Sequence, residues 1–275
     1  MLKTRVLSAI VLVAVLGAGL ISGGLLWWVL LLFISLVGYH EFCMAIRNNA
    51  EAEEGKSRLY EMASPEIIGF LCTILYYGMI LMTGKMEYAI YTIVFTCVLY
   101  MISFVAHFPE YDNSFVIRCF FGFLYVPFMI SFLYFLRNRE HGLTEVLLVV
   151  ISSWICDTFA YFTGRAFGKH KLAPLLSPKK SVEGAVGGTL FSILFGALLA
   201  FITGGSIGVY AAVAGMGAVV SQFGDLFASG IKRNQGIKDF GNVIPGHGGI
   251  LDRFDSVIIT APVIYVLCNI LIKQI

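Results

Sequence analysis

Charge is what this 275-residue chain has least of. Asp, Glu, Lys and Arg together make up 13% of it, about half the roughly 25% of an ordinary soluble domain. Hydrophobic residues supply 58%, and the mean hydropathy is +0.85. So few charges cannot cover a water-facing surface, which excludes an ordinary soluble domain and points to a polytopic membrane protein. Neither sign of charge dominates. A net charge of +2 gives no basis for nucleic-acid binding, so no nucleic-acid partner is expected. CxxC spacing is absent too: Cys43, Cys72, Cys97, Cys119, Cys156 and Cys268 lie in or beside apolar segments. Buried reduced thiols are expected there, rather than a disulfide framework or a zinc site.

What is there in quantity is apolar length. A stretch of about 20 apolar residues crosses a hydrocarbon core of roughly 30 Å. Such stretches run approximately over 66–83, 88–106, 117–136, 144–164, 184–202, 206–228 and 254–272. The opening "MLKTRVLSAIVLVAVLGAGLISGG" and the following "LLWWVLLLFISLVGY" read as a tight helical hairpin turning at Gly23 and Gly24, with a cleaved signal peptide as the alternative for the first. The expected fold is therefore all-α, a helical bundle of about nine transmembrane helices. With a cytoplasmic amino end, fifteen Lys and Arg residues fall on the cytoplasmic side and four on the other, as the positive-inside tendency requires. Residues 1–140 are expected to form amino-terminal transmembrane helices that face lipid or form a dimer. Residues 141–275 are expected to form a catalytic region with cytoplasmic loops at 165–183 and 229–253.

The stretch "SGIKRNQGIKDFGNVIPGHGGILDRFD", Ser229 to Asp255, keeps seven charged residues and a histidine between two apolar segments. Just before it, a helix that starts apolar acquires Asp225, Ser229 and Lys232 at i, i+4 and i+7, so one face carries a carboxylate, a hydroxyl and an ammonium. An acid that deep in an apolar segment is costly unless paired, and intramembrane acids are functional candidates. Lys232 and Arg233 fit equally well a cationic helix end favoured by the macrodipole. Pro245-Gly246 fits a type II turn. Asp252 and Asp255, three apart, share a helix face and aim two carboxylates at one point, which favours a cation between them. Oxygen donors suit a hard ion such as Mg²⁺. His247 is a metal ligand, a phosphate donor or a locally bonded turn residue.

A second constellation lies in "WICDTFAYFTGRAFGKHKLAPLLSPKKSVEGAVGG". Asp157, Tyr161 and Arg165 are spaced at four along a helix. Ser177-Pro178 reads as an N-cap with Pro at the first helical position, setting Lys179 and Lys180 on the first turn. Two readings stand for these lysines: anchoring on the cytoplasmic side, or an anion site with free N–H groups. Glu183 balances the lysines or joins a metal site. Gly184, Gly187 and Gly188 are read as close-packing positions.

These residues together resemble the phosphatidate cytidylyltransferases, or CDP-diacylglycerol synthases. The pattern S-x-x-K-R-x4-K-D, then P-x-H-G-G-x-x-D-R-x-D, is filled at every defining position by Ser229, Lys232, Arg233, Lys238, Asp239, Pro245, His247, Gly248, Gly249, Asp252, Arg253 and Asp255. The upstream block also resembles that family, so the likeness covers about residues 154–255. It implies a Mg²⁺-dependent membrane enzyme that joins CTP and phosphatidic acid, giving CDP-diacylglycerol and pyrophosphate. It further implies a homodimer within a membrane of lipid, and K⁺ as a candidate second cation. A bacterial plasma membrane with the active site facing the cytoplasm is the expected location. The residue roles that accord with it are Asp225, Asp252 and Asp255 on metal, with Ser229 and Lys232 beside them. Lys179, Lys180, Arg233, Lys238, His247 and Arg253 are assigned to phosphate oxygens, and Asp157, Arg165, Glu183 and Asp239 to support.

Other classes fit less. A transporter spreads polar residues along a crossing path and often carries internal repeats, and no repeat is evident here. A polyprenol or phytol kinase lacks the PxHGG-x-x-DRxD continuation. A CDP-alcohol phosphotransferase carries a DG-x2-AR type motif that does not occur in this chain.

Overall fold

The computed structural model describes the backbone of residues 2–54, 64–246 and 248–272, and side chains within 8–47, 64–246 and 248–272. In chain order the described elements are α1 (Leu2–Ser22), α2 (Gly24–Glu54), α3 (Ser64–Thr83), α4 (Met86–Ala106), α5 (Asn113–Arg137) and α6 (Gly142–Phe167), then strands β1 (Lys171–Ala173) and β2 (Ser177–Ser181), then α7 (Val182–Thr203), α8 (Ile207–Asn234) and α9 (Leu251–Ile272). Helices α5, α6 and α9 each include one π turn, at Leu124–Phe128, Ile151–Ile155 and Cys268–Ile272. The first holds Pro127, which lacks an N–H and so disturbs the regular ladder.

Eight of these helices, α2 to α9, are long and apolar enough to cross a membrane, and α1 adds the shorter apolar stretch Ser8–Ser22. The protein is a polytopic helical membrane protein, as the apolar runs predict. Gly23, at a φ of 63°, and Gly24, at 52°, take the left-handed turn that joins α1 to α2 within one residue. The six thiols are free, five buried and Cys97 partly so.

The chain divides into two compact units: Met1–Phe135 with Gln235–Arg253, and Leu136–Asn234 with Phe254–Ile275. In the first, the core is built around the fully buried rings of Tyr39, Tyr76, Tyr77 and Phe123. A hydroxyl in hydrocarbon needs a protein partner. Tyr77 meets Ser35 at 2.7 Å, Tyr39 meets Tyr100 at 2.9 Å and Tyr76 meets Ser131 at 2.7 Å. A buried Arg47 donates from Nε to Glu66 Oε1 at 3.1 Å.

In the second unit, α7 packs between α6 and α8. A methyl carbon at Gly188 would stand 2.6 Å from Cys156 O, and one at Gly184 would stand 2.7 Å from Ala160 O. Close approach of α6 therefore requires glycine there, as read from the sequence. Ser152 in the π turn of α6 donates to Ala214 O on α8 at 3.2 Å, and Ser192 on α7 donates to Ile151 O at 3.2 Å.

Candidate active site

Helix α8 stays regular as it passes from apolar to polar surroundings, which keeps Asp225, Ser229 and Lys232 on one stripe. Ser229 Oγ donates to Asp225 Oδ1 at 3.4 Å. Lys232 is buried, only 8% exposed, and its Nζ is 3.9 Å from Asp255 Oδ2 on α9. Asp255 Oδ1 accepts from Ser256 N–H at 2.8 Å, and Ser256 Oγ donates to Asp157 Oδ2 on α6 at 3.4 Å. A methyl carbon at Gly224, the neighbour of Asp225, would stand 3.2 Å from Asp255 O, so α8 and α9 approach closely here. In the second unit Asp225 is thus linked to Ser229, and Asp255 through Ser256 to Asp157, with Lys232 beside Asp255.

The other cation of this cluster comes from the hairpin, and here one expectation is overturned. Residues 177–181 form strand β2, antiparallel to β1 with Lys171 opposite Ser181 and Ala173 opposite Ser177, not the first turn of a helix. The cap is Ser181, four residues later, whose Oγ accepts from Gly184 N–H at 3.2 Å. Both Ser177 and Ser181 offer capping oxygens, but Pro178 falls where the register of the two strands shifts, a position that tolerates proline. Glu183 places an acid in the first turn that actually forms. Lys179 and Lys180 therefore cannot share a helix N-terminus. In this stretch, where the pairing register shifts opposite Leu172, Lys179 is exposed, while Lys180 pairs with the Asp225 carboxylate.

Glu183 accepts from Lys169 N–H at 3.0 Å and His170 N–H at 3.2 Å, and meets His170 Nδ1 at 2.6 Å, so it ties down the entry to the hairpin. Arg165 Nη1 donates to Tyr161 Oη at 3.3 Å on an exposed face. Arg233 is exposed.

In the first unit, the segment ahead of α9 folds back on itself. Ile244 N–H donates to Gly248 O at 2.9 Å across the Pro245-Gly246 turn, and Gly246 has the positive φ, 79°, that the third position of a type II turn needs. His247 lies outside the described residues. Asp252 Oδ2 accepts two N–H groups, from Phe240 at 2.8 Å and Gly249 at 3.0 Å, so this acid clasps the segment. A methyl carbon at Gly248 would stand 3.1 Å from Asp252 Oδ2 and 3.4 Å from Asp239 Cβ. Lys238 and Asp239 are exposed, and Arg253 is half-buried.

Glu41, on α2, is a site residue that the sequence reading passed over. It is 4% exposed and accepts from Ile250 N–H at 3.0 Å and Leu251 N–H at 2.7 Å. Its signal was available: it is an acid within an apolar span, the same warrant applied to Asp225.

Among the described residues no group of three or more His, Cys, Asp or Glu side chains is gathered to hold a metal ion. The oxygen donors of Asp225, Asp255 and Ser229 are of the type a hard cation prefers. Ser221 Oγ, one turn before Asp225, is buried without a hydrogen-bond partner among the described residues. With Asp225 and Ser229 it makes a row of oxygens along one stripe of α8, the donor type such ions prefer.

Comparison with known proteins gives the same direction. A model of the Cytidylyltransferase family matches residues 3–271. The chain is similar to the phosphatidate cytidylyltransferase of Thermotoga maritima, 39% identical over 155 residues, which is 54% of this chain and 57% of that protein. It is similar to those of Staphylococcus haemolyticus, 42% over 147 residues, and Staphylococcus aureus, 40% over 148, each alignment taking 53% of this chain and 55% of the relative. The chain thus spans little more than half the length of the relatives it matches.

Proposed function

The chain belongs to the cytidylyltransferase family, and from that premise we propose that it is a CTP:phosphatidate cytidylyltransferase. A phosphate oxygen of phosphatidic acid attacks the α-phosphorus of CTP. The bond from that phosphorus to the bridging oxygen of the β-phosphate breaks, pyrophosphate leaves, and CDP-diacylglycerol remains in the membrane.

The observation that carries this reading is the cluster in the second unit, where Lys180 and Lys232 are each matched to an acid, Asp225 and Asp255. Because the lipid brings its own nucleophile, the protein's task is alignment and neutralisation of charge, which positioned cations supply. Lys180 and Lys232 take phosphate oxygens, and the acids hold the ammoniums in place until substrate arrives. Arg233, of the same unit, adds a further phosphate contact in bidentate form; Lys238 and Arg253, of the first unit, are assigned to phosphate on the sequence motif alone. Mg²⁺, when bound, neutralises charge on the phosphates. Asp225 and Asp255, with Ser229, are the groups of the second unit we assign to it, with K⁺ the second cation; Asp252, in the first unit, is a metal candidate on the sequence motif alone.

A groove of about 360 Å³ in the second unit supports the lipid half of the reading. Its walls include Val186 and Leu190 of α7 and Val219, Phe223 and Leu226 of α8, and Leu226 is the neighbour of Asp225. Apolar walls beside a charged cluster suit an acyl chain whose phosphate end lies at the cations. A bacterial plasma membrane, a cytoplasm-facing site and a homodimer belong to the same proposal. The bacterial relatives and the fifteen-to-four distribution of Lys and Arg support the first two.

The test is phosphatidate-dependent turnover of CTP by the purified full chain in detergent with Mg²⁺. Pyrophosphate released only when phosphatidate is present supports the proposal. Release of CDP in its place would make the enzyme a kinase.

A further inference from the structure

Glu41 is an acid buried in the span Gly24–Arg47, where an uncompensated carboxylate is costly. Among the described residues no Lys or Arg pairs with it. Its compensation comes from main chain 209 and 210 residues away: Oε1 accepts from Ile250 N–H at 3.0 Å and Oε2 from Leu251 N–H at 2.7 Å. Those are N–H groups at the start of α9, which have no partner within the helix, and they lie at its positive end. The backbone around the carboxylate is shaped to admit it. A methyl carbon at Gly241 or at Gly249 would come within 2.4 Å of a Glu41 oxygen.

These contacts form a chain. Glu41 fixes Ile250 and Leu251; the next residue is Asp252; and Asp252 Oδ2 holds the segment closed through Phe240 and Gly249. We propose that Glu41 is the positioning residue of the described stretches 239–246 and 248–252, a bidentate anchor supplied by an amino-terminal helix that sets where Asp239, Gly248, Gly249 and Asp252 stand. Its consequence for turnover rests on the cytidylyltransferase reading; its consequence for the segment does not. The carboxylate is needed in both its oxygens. Gln offers one acceptor and turns an NH₂ toward the second N–H.

The test uses the full chain in detergent, with Glu41→Gln, Glu41→Asp and Gly241→Ala, and reads amide hydrogen exchange, thermal midpoint, kcat and KM. The expected result for Glu41→Gln is exchange faster by about tenfold or more across 239–252, with α3 and α4 unchanged, as for a locally opened segment. The midpoint stays within a few degrees, kcat falls about 10- to 100-fold, and KM for phosphatidate stays within about twofold, the split expected when alignment rather than binding is lost. Gly241→Ala reproduces this by crowding the carboxylate. Glu41→Asp in the Gly241→Ala background recovers part of kcat, because the shorter acid leaves room for the methyl. Unchanged exchange in Glu41→Gln overturns the proposal. So does faster exchange with unchanged kcat, and so does faster exchange spread through α2 to α4 with a lowered midpoint, which is loss of general packing. If the unsubstituted protein transfers no cytidylyl group, the reaction reading falls while the exchange measurement alone decides Glu41.

Discussion

Lys180 pairs with the Asp225 carboxylate from strand β2, while its neighbour Lys179 is exposed. Two adjacent lysines thus stand in different surroundings, one in an ion pair and one in the open.

Lys180→Ala is expected to lower kcat/KM by about 100-fold, the scale of losing one positioned charge on a transferring phosphate. Lys179→Ala should change it by less than about threefold, because among the described residues Lys179 makes no ion pair with Asp225 or Asp255. Steady-state kinetics on both purified variants decide this. Equal losses would restore the two lysines to a shared anion site.

Asp225→Asn is expected to remove nearly all turnover while the protein still purifies as a folded species. Removing divalent cation with a chelator should do the same to the unsubstituted enzyme, with recovery when Mg²⁺ is returned. Activity of Asp225→Asn near the unsubstituted level would remove Asp225 from the metal assignment.

Asp255→Ala should destabilise the fold as well as stop turnover. Lys232 is as buried as its partner, and removing one member of a buried pair costs on the order of 3 kcal/mol. Pairing Lys232→Met with Asp255→Leu should recover stability in a thermal melt without recovering turnover. Recovery of both would make the pair structural.

Leu190→Trp fills the groove between α7 and α8. The expected effect is a KM for phosphatidate raised about tenfold or more, with KM for CTP unchanged, since only the lipid's chain loses its place. Kinetics with each substrate varied in turn provide the check, and equal effects on both would place the chain elsewhere.

The helices were legible because hydropathy is written along the chain itself: an apolar run of the right length becomes a span whatever surrounds it. The Asp225, Ser229, Lys232 stripe was legible for a similar reason, since helical spacing alone sets which side chains share a face. The start of α7 was not. Ser177-Pro178 and Ser181 with Glu183 are both credible helix starts, and the choice was made by pairing with Lys171–Ala173, a contact no local pattern states. Glu41 carries the signal of an acid in an apolar span, but what it holds lies 209 residues further on. Its burial in an apolar span was visible in sequence, but its partners are main-chain N–H groups, which carry no residue-type signature. Asp252 shows the same limit: the motif marks it, while only the fold shows one of its oxygens committed to Phe240 and Gly249.

The central claim is that the lipid phosphate attacks the α-phosphorus of CTP, and paired labels follow that atom directly. The purified full chain is incubated with phosphatidic acid, Mg²⁺ and CTP labelled with ³²P at either the α or the γ position, and the lipid is extracted. The account predicts lipid labelled from α-³²P CTP and not from γ-³²P CTP, with the γ label recovered as pyrophosphate. Lipid labelled from the γ position, with CDP in the aqueous phase, would contradict it.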